Sequence, residues 1–190
     1  MVLDDTAKIA YTSTNQDDLS SPYLNASQGE PRMSENNITV RELTPDDREE
    51  FLAVAETFFK ESYHRDDNID LDRFWSLISR GFTLDHVAIP TVFVDGKLAG
   101  YAIIHYNQEF KQQLEGDMAE LYLHPAYRGT GASRALADAV DNQFKAWGVR
   151  HAHLWAAPGL DNQEKALGVF RNLWAKYGFK QTGIIMTKEY

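Results

Sequence analysis

The run Leu121-Tyr122-Leu123-His124-Pro125-Ala126-Tyr127-Arg128-Gly129-Thr130-Gly131-Ala132-Ser133 restricts the possible folds more than any other stretch of this chain. An apolar strand passes through Pro125 into a glycine-rich turn, and a helix opens at Ala132. Strand, tight turn and helix in this order belong to layered α/β architectures. Such a turn leaves backbone N–H groups pointing outward at a helix N-terminus, where aligned peptide dipoles add partial positive charge. Phosphate or pyrophosphate can rest there without a lysine. Glycine at 129 and 131 keeps side chains from holding such a ligand away from the backbone.

The rest of the chain supplies the layers. Ile38-Thr39-Val40-Arg41-Glu42-Leu43 alternates as a strand. Thr44 then reads as a helix N-cap, with Pro45 at the first helical position and Asp47 three residues after the cap. Phe51, Leu52, Val54, Ala55, Phe58 and Phe59 recur at helical spacing and predict one buried face. A second helix is predicted over 71–80, packing Leu71, Phe74, Trp75 and Ile78. Asp95-Gly96 between apolar runs 91–94 and 98–105 is a hairpin signal. A strand over 117–124, a helix over 132–147 ending at Gly148, a strand over 151–156, a helix over 162–177 stopped by Gly178 and a strand from Phe179 complete the pattern. The order implies an α/β (α+β layered) domain with a mixed sheet.

Composition narrows the context. With 43% hydrophobic residues in 190, one domain can bury a full core. The absence of cysteine excludes disulfides, a cysteine nucleophile and thiolate metal sites. No apolar run approaches the ~18 residues needed to cross a bilayer, and Met1-Val2-Leu3-Asp4-Asp5 lacks the basic and apolar regions of a signal peptide. A cytoplasmic protein without a membrane partner is therefore expected. The net charge of −9 argues against nucleic acid. Residues 1–36 are polar and aperiodic and read as a flexible arm ahead of a domain at 37–190, with Met33-Ser34-Glu35 a suitable start.

Four blocks in order resemble the GNAT (Gcn5-related) N-acetyltransferases: Ile38-Thr39-Val40-Arg41 through Asp46-Asp47, the Asp95-Gly96 hairpin ending in Leu98-Ala99-Gly100-Tyr101, the strand and Arg128-Gly129-Thr130-Gly131-Ala132-Ser133 turn, and Leu173-Trp174-Ala175-Lys176-Tyr177-Gly178-Phe179. The resemblance covers 38–190. It implies the GNAT acyltransferase fold, with a mixed, mostly antiparallel central sheet flanked by helices. It also implies acetyl-CoA as co-substrate and direct acetyl transfer to a primary amine of a small molecule, protein side chain or N-terminus. Homodimers are frequent in the family. The matching cofactor positions are the backbone of Leu121 and Leu123 for the pantetheine arm and Arg128, Gly129, Thr130, Gly131, Ala132 and Ser133 for the pyrophosphate. Asn162 matches the family's asparagine near the start of the last helix, although five residues further from Gly178 than usual. Ser133 stands where the motif has Gly or Ala, and Trp174 where the family usually has the tyrosine that protonates the leaving thiolate. Tyr177, three residues on, is the substitute.

Acetyl transfer needs a neutral amine, so a base must take a proton at neutral pH. Glu120, just before the cofactor strand segment, is the leading base; a solvated or ion-paired glutamate at the sheet end is the competing reading. His124 alternates onto the same face and is second, and Asp117 follows if the strand register is shifted. His86, His105, His151 and His153 show no metal-ligand pattern, and no metal is expected. Between Asp46 and Asp70 stand nine acids and three bases. Glu61, Asp66 and Asp67 are the candidate contacts for a cationic acceptor, against the reading of this run as a solvated helix face. The rival function is a GNAT-fold binding or structural module with reduced catalysis, docked through the arm.

Overall fold

Local chemistry sets where each element begins. Thr44 donates its backbone N–H to Asp47 Oδ2 at 2.9 Å, the reciprocal arm of a capping box. Asp47 also takes two bonds of 2.7 Å from the Arg41 guanidinium, which holds its carboxyl well below the usual carboxylate range. A 3-10 turn at Pro45–Asp47 leads into α1 (Arg48–Glu61). Asp70 caps α2 (Leu71–Ile78) by accepting the Arg73 N–H at 2.9 Å. The hydrophobic run predicted as helix to residue 80 tightens into a 3-10 helix at Ser79–Thr83.

The computed structural model describes residues 36–62, 64–108, 112–154, 168 and 171–180. Residues 1–35 of the expected arm, Asn162 and the part past Lys180 of the strand expected from Phe179 lie outside them; Phe179 and Lys180 themselves are not in a strand. Asn36–Lys180 forms one compact unit. Among the described residues no helix is long and apolar enough to cross a membrane.

The strands are β1 (Ile38–Glu42), β2 (Val87–Ala88), β3 (Pro90–Val94), β4 (Lys97–Asn107), β5 (Glu115–Leu123) and β6 (His151–Leu154). They form one sheet in the order β1-β3-β4-β5-β6, with β2 beside β4. Every pairing is antiparallel except β5 with β6. The β3–β4 hairpin turns on Asp95 (φ +52) and Gly96 (φ +79), the pair of positive angles a tight right-twisted hairpin needs. Helix α3 (Ala132–Trp147) covers one face through Leu136, Ala137, Val140 and Phe144, which pack on Val92, Val94, Ala102, Ile104 and Met118. The other face carries a second core, in which Phe51 and Val54 of α1 and Ile78 of α2 meet Phe93, Tyr101 and Tyr122.

Two irregularities shape the central strands. At Gly100 an added Cβ would lie 2.4 Å from the Tyr122 carbonyl oxygen, so β4 and β5 can close up there only around glycine. On β5, Ile104 faces Met118 while Ile103 faces Glu120, which leaves Ala119 as a bulge. Ala119 is exposed. Strict alternation from Met118 would put Glu120 on the α3 side. The bulge advances the phase by one residue and turns Glu120 and Tyr122 toward α1, while Leu121 and Leu123 stay on the α3 side.

Candidate active site

Among the described residues β6 pairs with Glu115–Met118, and no described strand lies beside Ala119–Leu123 on the side away from β4. His124 donates its N–H to Ala99 O on β4 at 2.8 Å. By the two-residue period, the N–H and C=O groups of Leu121 and Leu123 therefore project away from β4. One of these is already engaged, because Arg128 Nε donates to Leu123 O at 3.2 Å.

The strand then enters a 3-10 turn at Pro125–Tyr127 and the glycine turn. Gly129 (φ +85) and Gly131 (φ +99) both occupy the left-handed region, and beyond its chain neighbours no atom of the described residues lies within 4 Å of a Cβ built at Gly129. Its glycine answers to backbone geometry rather than crowding. Of the six amides expected at a pyrophosphate, three are partnered within the turn. Arg128 N–H donates to Pro125 O at 3.2 Å, Thr130 N–H to Tyr127 O at 3.4 Å and Ala132 N–H to Thr130 Oγ1 at 3.4 Å. Thr130 in turn donates its hydroxyl to Tyr127 O at 2.7 Å. Among the described residues the N–H groups of Gly129, Gly131 and Ser133 carry no hydrogen bond. They stand at the positive end of the sixteen-residue α3, the right place and polarity for an anionic group.

On the α1 side of β5, Glu120 is partly exposed, yet its carboxyl is largely desolvated. Burial pushes it up to about 7, and a hydrogen bond from Tyr101 pulls the other way. Tyr101 donates its hydroxyl to Glu120 Oε1 in a very short bond. That tyrosine is fully buried, 4.7 Å ring to ring from Phe51, and burial together with the Glu120 carboxylate raises its hydroxyl well above the ordinary phenol value. It remains a proton donor throughout the physiological range. A second phenol–carboxylate pair lies alongside, since Tyr122 donates to Glu61 Oε2 at 2.9 Å. The same oxygen takes Arg128 Nη2 at 2.8 Å, so the end of α1 is joined to the glycine turn. Burial, then Glu61, raise the Tyr122 hydroxyl.

The other sequence candidates fall elsewhere. His124 accepts the Ala126 N–H on Nδ1 at 3.2 Å and so caps the Pro125 turn. Asp117 accepts from Asn107 Nδ2 at 3.0 Å and lies 3.8 Å from His105 Nε2. Tyr177 packs with the α3-side core and donates to Asp138 Oδ1 of α3 at 2.6 Å. Burial and that carboxylate push its hydroxyl up to about 12. The structure thus does not bring Tyr177 to Glu120. Trp174 is 1% exposed and packs against Tyr177 and Phe179. Asp66 is exposed beside Arg65, and Asp67 meets His64 Nδ1 at 2.7 Å in the turn after α1. Among the described residues no three His, Asp or Glu side chains form a metal set. Sequence reasoning missed Tyr101. Its signal was a phenol next to Gly100 within an apolar strand, where a buried hydroxyl must find a partner.

Sheet order and the glycine turn at a helix N-terminus define a GNAT-type acyltransferase fold. Residues 42–179 match the acetyltransferase (GNAT) family profile, and the chain belongs to that family. An uncharacterized N-acetyltransferase of Mycobacterium tuberculosis is 32% identical over 96 residues, which are 50% of this chain and 54% of the relative. The chain thus spans about half the length of the mycobacterial relatives that it matches. The uncharacterized N-acetyltransferase YycN of Bacillus subtilis is 28% identical over 119 residues, 61% of this chain and 70% of that protein. Among solved structures, AAC(6')-Iy in complex with the bisubstrate analogue CoA-S-monomethyl-acetylneamine has a TM-score of 0.61 at 17% identity, covering 81% of this chain and 99% of that one. Glucosamine-6-phosphate N-acetyltransferase of Arabidopsis thaliana gives 0.62 at 14%, with 81% and 99% covered. At these identities the likeness establishes the fold.

Proposed function

We propose that this protein transfers an acetyl group from acetyl-CoA directly to a primary amine, with Glu120 as general base. The observation that carries the reading is the desolvated Glu120 carboxyl at about 7, on the bulged strand that runs into the glycine turn. A base poised near neutral pH can hold a proton taken from an ammonium and release it again. The co-substrate fits the residues present. The N–H groups of Gly129, Gly131 and Ser133 suit its pyrophosphate, and the Leu121 edge of β5 that faces away from β4 suits its amide-bearing arm. When bound, acetyl-CoA supplies the thioester carbonyl as electrophile. Glu120 receives the amine proton on Oε2, since Oε1 holds the Tyr101 hydroxyl. An N–H of β5 beyond the bulge is the donor for the carbonyl oxygen as charge develops. The C–S bond to CoA would break as the C–N bond forms, and the departing sulfur would take its proton from solvent; Tyr177 has no acid role in this scheme, because its hydroxyl is tied to Asp138 and is a weaker acid than a free phenol. Glu61 and the acids of the α1–α2 turn, Asp66 and Asp67, favour a cationic acceptor.

The test has two stages. Acetyl-CoA at millimolar concentration should raise the melting temperature, and thiol release should then appear with some member of a panel holding a monoamine, a polyamine, an aminoglycoside and a lysine peptide. Absence of any thermal shift would overturn the reading. A shift with no turnover on any amine supports the binding-module alternative instead. Glu120→Gln should lower turnover by about 100-fold or more at pH 7, within the usual range for a lost general base, while retaining the acetyl-CoA shift.

A further inference from the structure

We infer that Tyr101 is a positioning residue for Glu120: its buried hydroxyl fixes the carboxyl by Oε1, leaves Oε2 to receive the proton, and sets how readily the group ionises. The inference rests on Glu120 being the base. Three observations carry it. The pair is joined from neighbouring strands by a direct hydrogen bond, with Tyr101 on β4 and Glu120 on β5. The tyrosine ring cannot swing away, because it is fully buried between Phe51 at 4.7 Å and Tyr122 at 6.4 Å, centroid to centroid. Finally, the Ala119 bulge is what brings Glu120 onto the face where Tyr101 lies.

The charged and titratable groups around the carboxyl leave Tyr101 as its direct partner. From β5 comes Tyr122, whose hydroxyl is turned to Glu61. From α1 comes Glu61 itself, held by Tyr122 and by Arg128 of the turn. From β4, Ile103 faces Glu120 in register, and the next polar side chain on that strand, His105, faces Asp117. Among the described residues Tyr101 is the hydrogen-bond donor to Glu120. Donation from a phenol that stays protonated favours the ionised carboxylate, against the burial that disfavours it. Removing the hydroxyl while keeping the ring therefore raises the pH at which Glu120 ionises.

The experiment follows the Glu120 carboxyl carbon by NMR in protein labelled at glutamate, its resonance assigned by its loss in Glu120→Gln. In Tyr101→Phe the ionisation midpoint should rise by about one to two pH units, the range expected when a charged acceptor loses one hydrogen bond. The acid limb of kcat, measured with whichever panel amine turns over, should rise by the same amount. Activity at pH 7 then falls about five-fold or more and recovers at high pH. Site-specific 3-fluorotyrosine at position 101 keeps the shape and strengthens the donor, so it should move the midpoint down. Unmoved midpoints in both variants would overturn the inference, as would a loss of rate uniform across pH. If the midpoints move but Glu120→Gln keeps wild-type turnover and pH profile, the base assignment fails while the Tyr101–Glu120 pair stands, so the two failures are distinguishable.

Discussion

At the scale of single residues, Glu120 stabilises the fold less than an uncharged residue of the same shape would. Its folded value of about 7 lies above the ordinary carboxyl value of 4.5. The native state therefore holds the proton over a pH range where the unfolded chain has lost it, and stability falls as pH rises from about 4.5 through 7. The full difference corresponds to roughly 3 kcal/mol. Glutamine keeps the shape and an acceptor for the Tyr101 hydroxyl but carries no charge. Glu120→Gln should consequently melt higher than wild type at pH 8, by on the order of 5–10 °C, and at about the same temperature at pH 4. Equal melting temperatures across the pH range would show that the carboxyl is not desolvated. Higher stability together with lost turnover is the pattern expected where a site retains a costly group for its chemistry.

At the scale of elements, the bulge on β5 separates two things that a regular strand would merge. Met118 and Glu120 already have separate partners, Ile104 and Ile103, so deletion of Ala119 would leave the pairing on both flanks unchanged. The shortened strand keeps Glu120 and Tyr122 toward α1, because Met118, Glu120 and Leu121 would then alternate regularly. What it loses is the extra residue whose backbone the ladder leaves unpaired, and with it the local twist. The deletion variant should fold with a melting temperature within a few degrees of wild type and lose at least ten-fold in turnover. Wild-type turnover would exclude a catalytic part for the bulge. Features of this kind also mark where the sequence is legible. Thr44, Pro45 and Asp47 announce their capping box, Asp95-Gly96 its hairpin, and Gly131 and Gly148 the two ends of α3, because each is settled within a few residues. The extra strand β2, the Ala119 bulge and the Tyr101–Glu120 bond are settled by register between strands, and local composition carries no record of it. The Glu61–Arg128 pair joins positions 67 apart in sequence, which no spacing rule reaches.

At the scale of the whole molecule, the acidic run from Asp46 to Asp70 divides into acids that build the fold and acids that face solvent. Asp47 pairs with Arg41, Glu50 accepts the Leu98 N–H at 3.0 Å, and Asp70 caps α2. These three acids hold elements in place, whereas Asp46, Glu49 and Glu56 fit the reading of a solvated helix face. Asp66 and Asp67 lie in the turn after α1, and Glu61, although exposed, is already engaged by Tyr122 and Arg128, in a chain of net charge −9. Their effect on an acceptor is long-range and should be screened, since the Debye length falls from about 10 Å at 0.1 M salt to about 3 Å at 1 M. For acetyl transfer to amines, kcat/KM for a triamine should fall more steeply between these concentrations than for a monoamine of similar reactivity. The acid that matters most to this slope should be Asp66, which among the described residues pairs with the exposed Arg65 at 3.5 Å and caps no element. Asp66→Asn should flatten the triamine slope and leave both the melting temperature and monoamine turnover unchanged, because an exposed pair of this kind contributes little to stability. Equal slopes for the two amines in the wild-type protein would mean that the acceptor approaches without electrostatic guidance, and would remove charge as the basis of its selection.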